Sequence, residues 1–226
     1  ADGRVVVGFS RTAAGEIRAF RWEAGFMQDL GTLPGYNNSR ARAVSADGRI
    51  IVGTVETTGR YLAFRWEAGV MRDLGTLGGS SSVAAAVSID GSIVVGWAYN
   101  AEGRIHAFRW TVADGMEDLN TAYASLLRDR SVLIYALGIS PNGRYIVGEG
   151  WNAATRRTEA FILDTQCTPH NGDVDNNRCV SDTDLLSVLF AFGSSGRNLG
   201  RVDVNCDGIV NDADLLIVLF NFGQGC

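Results

Sequence analysis

Residues 46–77 read ADGRIIVGTVETTGRYLAFRWEAGVMRDLGTL. A turn at Asp47-Gly48 leads into Ile50-Ile51-Val52-Gly53, then Ala63-Phe64-Arg65-Trp66, then Met71 through Leu77. An Asp-Gly pair supplies the positive φ angles of a tight hairpin, and a continuous apolar run suits a strand covered on both faces. Side chains alternate along a strand, so Phe64 and Trp66 point one way and Ala63 and Arg65 the other. The same order recurs along the chain. Turns fall at Asp2-Gly3, Asp47-Gly48, Asp90-Gly91 and Asn142-Gly143, spaced by 45, 43 and 52 residues. Each precedes a run ending in glycine: Val5-Val6-Val7-Gly8, Ile50 to Gly53, Ile93-Val94-Val95-Gly96 and Tyr145-Ile146-Val147-Gly148. Ala19-Phe20-Arg21-Trp22, Ala107-Phe108-Arg109-Trp110 and a degenerate Ala160-Phe161-Ile162-Leu163 repeat the aromatic strand. Met27 to Leu33 and Met116 to Thr121 repeat the third, and strands ending at Ser45, Ser88 and Ser140 form the fourth kind. Four short strands per repeat of about 45 residues is the period of a propeller blade. Residues 1–165 are therefore expected to be a mostly β, propeller-like array.

The rest of the chain, residues 166–226, has another composition. All 20 basic residues of the protein are arginine, and the net charge is −5. Residues 1–165 carry 17 Arg against 17 Asp plus Glu, whereas residues 166–226 carry 3 Arg against 8 Asp, so the whole excess lies in the tail. A neutral first part offers no basic field for nucleic acid, and an acidic tail repels itself unless cations neutralise it. All four cysteines, Cys167, Cys179, Cys206 and Cys226, also fall there, which predicts a stapled small domain in an oxidising compartment. Cys-x-x-Cys is absent, which argues against zinc and thioredoxin-like chemistry. No stretch reaches the roughly eighteen apolar residues of a membrane helix, and the N-terminus keeps no basic-then-apolar leader.

Two twelve-residue segments, 173–184 and 203–214, place oxygen-bearing residues at alternate positions. A hard cation takes six to eight oxygens, and such spacing gathers them around one point. The first set is Asp173, Asp175, Asn177, the Cys179 carbonyl, Ser181 through water, and Asp184. The second is Asp203, Asn205, Asp207, the Ile209 carbonyl, Asn211 and Asp214. Two calcium ions are expected. Arg178 stands where glycine would make the sharp turn, so the first site should bind more weakly. After each loop runs an apolar helix, Leu185 to Phe192 and Leu215 to Phe222, stopped by Gly193 and Gly223. Pro169 and Gly172 leave no entering helix.

The repeats of residues 1–164 resemble the bacterial extracellular HAF family, whose His-Ala-Phe tripeptide occurs here as His106-Ala107-Phe108. That resemblance implies a secreted, propeller-like module of little-known activity and does not imply an enzyme. The paired loop-plus-helix units of residues 168–224 resemble a type I dockerin, a small all-α calcium-loop domain. The departures are Asp182-Thr183 and Asp212-Ala213, where cohesin-binding dockerins carry Ser-Thr, and Leu189-Phe190 and Leu219-Phe220, where they carry basic residues. Leu189, Phe190, Leu219 and Phe220 are then candidate partner-binding residues for something other than a standard cohesin. In a dockerin-like module the two ends lie close together, which implies a Cys167–Cys226 disulfide and leaves Cys179 to pair with Cys206.

Residues recurring in every repeat answer to each repeat's core, so Phe20, Trp22, Phe64, Trp66, Phe108 and Trp110 are expected to be structural. Asp29, Asp73 and Asp118 recur likewise, as turn-forming groups. The unique polar residues His106, Glu102, Glu149 and Glu159 show no catalytic spacing. The leading expectation is an extracellular structural or adhesive protein, calcium-stabilised, that binds a protein partner or assembles head to tail through open β-edges. Its rivals are a secreted glycan-acting enzyme anchored by its tail, and a carbohydrate-binding propeller with exposed Trp97 or Trp151.

Overall fold

The computed structural model describes residues 3–124, 127, 130–165, 170–195, 199–205 and 209–226. The chain forms two units, Ala1–Thr165 and Gln166–Cys226. Among the described residues, no helix is long and apolar enough to cross a membrane.

The first unit contains four antiparallel sheets in chain order. The first holds β1 (Val5–Arg11), β2 (Ile17–Glu23) and β3 (Phe26–Asp29). The second holds β4 (Asn38–Val44), β5 (Ile50–Thr57), β6 (Arg60–Glu67) and β7 (Val70–Asp73). The third holds β8 (Gly78–Val87), β9 (Ile93–Asn100), β10 (Ile105–Thr111) and β11 (Gly115–Asp118). The fourth holds β12 (Val132–Ile139), β13 (Tyr145–Asn152) and β14 (Arg157–Asp164). Each sheet packs face to face on the next, and an apolar core fills each junction. Ile51, Phe64 and Trp66 of the second sheet meet Ala19 and Leu30 of the first. Val94 and Phe108 meet Ile50, Val52 and Ala63 in the second junction, and Leu133, Ile146 and Leu163 meet Val95 and Ala107 in the third. Phe and Trp thus face back to the preceding sheet, and Ala faces forward. The mostly β, propeller-like reading of this unit holds.

Two repeated devices lock the sheets together. In the turns, Ser45 Oγ donates to Asp47 Oδ1 at 2.6 Å and accepts from the Ile50 N–H at 3.0 Å. Ser88, Asp90 and Ile93 repeat this, as do Ser140, Asn142 and Tyr145. The Ser45 hydroxyl, helped by the Arg49 N–H, holds the Asp47 carboxyl below its ordinary range. Successive turns are tied by backbone bonds from Ala46 N–H to the Ile89 carbonyl and from Ile89 N–H to the Pro141 carbonyl. Between sheets, buried Ser39 accepts from Ala19 N–H and donates to the Gly31 carbonyl, and Ser82 does the same for Ala63 and Gly75. In the third junction Asn120 takes over, bonding both the N–H and the carbonyl of Leu133.

The strand expected over Met27–Leu33 stops at Asp29. Asp29 Oδ1 accepts the Gly31 N–H at 2.8 Å and Gly31 adopts φ +76°, which turns the chain out of the sheet. Asp73 and Gly75 act identically. In the third copy Asp118 caps a short helix, α1 (Leu119–Ala122), which replaces the end of the expected strand.

The second unit carries α2 (Asp182–Ala191) and α3 (Asp212–Phe220) after its two loops. Among the described residues its buried apolar side chains are six valines, Val174, Val180, Val188, Val204, Val210 and Val218, at matching positions of the two halves, with Leu185, Leu215 and Ile217 packed against them. The halves exchange their ends. Val180 bonds Gly223 and Gln224 beyond α3, and Val210 bonds Gly193 and Ser194 beyond α2. This exchange corrects the cysteine pairing. Cys226 bonds to Cys179, with Cα atoms 4.6 Å apart, and not to Cys167. The reason is that the C-terminal segment runs beside Val180 rather than returning to the start of the module. Cys167 and Cys206 lie outside the described residues.

Candidate metal centre

In the first loop the carboxylates of Asp173, Asp175 and Asp184 bring oxygens within 4.8 Å of one another. Asp173 and Asp184 are buried and Asp175 is exposed. Asp184 organises the loop from the start of α2. Its Oδ1 accepts the Val174 and Asp175 N–H groups at 2.6 and 3.1 Å, and its Oδ2 accepts the Ser181 N–H at 2.8 Å. Burial works against its charge, but the N–H groups of Ser181, Asp175 and Val174 outweigh that and hold the carboxyl below its ordinary range. Asp173 Oδ1 accepts from Asn177 N–H and Oδ2 from Arg178 N–H, which wraps the loop around the carboxylate. Asn177 Oδ1 accepts from Cys179 N–H, and Ser181 Oγ lies 2.7 Å from Thr183 Oγ1.

The second loop repeats the frame. Asp214 is buried, its Oδ1 accepting from Asn205 N–H at 3.0 Å and its Oδ2 from Asn211 N–H at 2.9 Å. Asp203 is buried as well, and Ile209 is exposed. Asn211 Oδ1 caps α3 through the Ala213 N–H. Asp207 lies outside the described residues. An oxygen-only donor set suits a hard divalent cation better than a soft metal.

Arg178 adopts φ +74°, in the left-handed region where a side chain is strained. Arg178→Gly should therefore stabilise the first loop by about 1 kcal/mol. In a calcium titration the weaker of two binding steps should tighten severalfold. Unchanged binding at both steps would show that the strain is absorbed elsewhere.

Two contributors were invisible in the sequence. His170 Nδ1 accepts from Gly172 N–H, so its Nε2 carries the proton and donates to the Arg201 carbonyl at 2.9 Å. Burial pushes the His170 pKa down, which suits that neutral form. Arg201 in turn donates to the carbonyls of Asp173 and Val174. The pair ties the approach to the first loop to the approach to the second. A histidine and an arginine 31 positions apart carry no local signal.

Outside the loops, α2 and α3 present matching apolar ridges. Phe190 is 87% exposed and Phe220 81%, flanked by Leu189 and Leu219 at 45% and 47%. In the array, His106 pairs with Asp118 at 2.6 Å, where Arg18 faces Asp29 in the first repeat. Its partner is thus a repeat-wide one. Glu159 is held by Asn152 and Thr155, beside Trp151 in a pocket of about 230 Å³.

No family model matches the sequence, and no curated protein matches it. Solved structures do resemble it. A putative TolB from Agrobacterium tumefaciens superimposes with a TM-score of 0.53 at 15% identity, covering 72% of this chain and 58% of that one. TolB from Acinetobacter baumannii gives 0.50 at 17% identity, over 73% of this chain and 39% of the other. At such identity the likeness is one of fold, propeller-like in its β-rich unit. The chain spans little more than half the length of the first and less of the second.

Proposed function

We propose that this is an extracellular, calcium-stabilised binding protein, a HAF-type repeat array joined to a dockerin-like module that docks a protein partner. Binding, and not turnover, is its activity. The observation that carries this reading is the pair of matched ridges, with Phe190 and Phe220 almost wholly in solvent. Large exposed aromatic residues at equivalent positions of both halves contribute nothing to the valine core, and such patches mark interaction sites. Two calcium ions would hold the loops that set the helices. Because each half presents its own ridge, either should suffice alone. The full chain, immobilised with calcium, should retain a defined partner from the secreted fraction of its own source. Phe190→Asp or Phe220→Asp should each keep it, and the double variant or a chelator should lose it more than tenfold. Retention by the folded double variant would refute docking through α2 and α3.

A second reading, self-association of the array, rests on its outer sheets. Val6 and Met27 on the first, and Leu137, Val147 and Ile162 on the last, are exposed on faces that the inner sheets cover with a neighbour. β1 and β14 are also edge strands, which attract other edges. Sedimentation velocity should then show association rising with concentration, and a strict monomer at high concentration excludes it.

A further inference from the structure

The repeat offers an internal comparison. The glycine of the second strand kind stands at 8, 53, 96 and 148, always opposite a phenylalanine. One residue later come Phe9, Thr54, Trp97 and Glu149, and three later come Arg11, Glu56, Tyr99 and Trp151. The scaffold positions recur and these do not. All lie towards the hairpins that join this strand to the aromatic one, at one end of the array. A position that the fold leaves free in each repeat is where a ligand can set the residue.

Four aromatic residues from three successive sheets meet there. Around the Trp97 indole, Tyr61 lies at 5.5 Å between centroids and 77°, Tyr135 at 5.6 Å and 85°, and Tyr99 at 6.4 Å and 73°. All four rings are half-buried. The bland explanation is a small core. Yet the three apolar cores between the sheets are built without any of these four, so sheet packing does not account for them. Edge-to-face contact fixes the ring planes in advance, which lowers the ordering cost of binding. Desolvation, together with the hydrogen bond to Tyr99 and the phenols of Tyr99 and Tyr135, pushes the Tyr61 pKa up to about 12.

The chemistry narrows the ligand. The rings touch one another, leaving no gap for a quaternary ammonium group, so the cluster is a platform and not a cage. Arg40, which packs against Phe9 at the equivalent place of the first two sheets, is already engaged, by Glu56 at 2.8 Å and by the Phe9 ring at 4.7 Å. Glu149 sits cross-strand from Tyr135, and Trp151, 40% exposed, follows two residues later. Indole and phenol rings with hydroxyl groups among them match a flat, amphipathic ligand with an apolar C–H face and a hydroxyl rim.

We infer that Tyr61, Trp97, Tyr99 and Tyr135 form a stacking platform for a neutral pyranose unit of a polysaccharide, flanked by Glu149 and Trp151. This rests on reading the chain as a binding protein, and it gives the array its own ligand, separate from the partner of the tail. The full chain with calcium should be retarded in native gels containing soluble xylan, laminarin or galactomannan. The hexasaccharide of the retarding polymer should shift its tryptophan fluorescence. Trp97→Ala should weaken binding at least tenfold, and Tyr99→Phe, which keeps the ring, severalfold. Should Trp97→Ala fail to fold, Tyr99→Phe and Trp151→Ala, with unchanged near-ultraviolet circular dichroism, decide the matter. No retardation by any of the three polymers overturns the inference. So does wild-type affinity in the folded variants, or binding of choline alone. The docking assay with the Phe190 and Phe220 variants runs on the same preparations, so a chain that docks its partner but ignores glycans sinks only the platform.

Discussion

Replacing Gly96 with alanine should cost the repeat array about 3 kcal/mol or more, an effect near the upper end for a single substitution. Its backbone is ordinary extended strand, so the objection to a side chain is space. A Cβ at Gly96 would lie 1.9 Å from the Val83 carbonyl oxygen and 3.0 Å from two carbons of the buried Phe108 ring. Neither can retreat. The Val83 carbonyl precedes the irregularity between Ala84 and Ala86 that bends β8 against β9, and Phe108 is wholly buried in the second junction. Gly53 and Gly148 are in the same position, with 2.0 Å to the Arg40 carbonyl and 1.8 Å to that of Tyr135. Gly8 supplies the comparison. In the three-stranded first sheet only the Phe20 ring approaches, at 3.0 Å, and that ring is half-buried. Gly8→Ala should therefore be mild, about 1 kcal/mol or less. Urea midpoints for the two variants test this directly, and similar midpoints would show that the carbonyl of the inner strand yields.

That contrast marks what was legible in the sequence. The pairing of a glycine with a phenylalanine in each repeat is local and periodic, so strand order, facing and the boundary near residue 165 could be read from recurrence alone. The bulge above Gly53, Gly96 and Gly148 could not, because Val83 and Gly96 meet only once two strands are paired. The early stop at Asp29 had a signal in the Asp-x-Gly spacing, an Asx-type turn, but it was outweighed by the apolar run around it. In the tail, the loop positions of Asp173, Asp175 and Asp184 were legible because one loop gathers them. The disulfide was not. Its pairing depends on the two halves exchanging their ends through Val180 and Val210, a long-range arrangement that spacing of cysteines does not encode.

Chelation of calcium should melt α2 and α3 while leaving the β-sheets of the array in place. Three carboxylates within 4.8 Å, two of them buried, repel one another strongly once no cation sits among them. Against that repulsion the described residues of the second unit bury six valines, about 1.5 kcal/mol or more each at full burial before the entropy of ordering is subtracted. A core that small is marginal without help. Cation binding at 100 times its dissociation constant adds about 2.7 kcal/mol per site, comparable to the whole margin of such a module. Circular dichroism should lose its helical signal with a chelator and recover it on adding calcium, and calorimetry should register two uptake steps. Asp184→Ala and Asp214→Ala should each remove one step. The Asp214 variant should remove the tighter, since its loop lacks the strained Arg178. The Cys179–Cys226 bond, which joins residues 47 apart, keeps the unfolded tail compact and so should make this melting reversible until the disulfide is reduced. An undiminished helical signal in excess chelator, with no heat of calcium binding, would mean that the buried Asp184 and Asp214 are held by backbone N–H groups alone and that the loops need no ion.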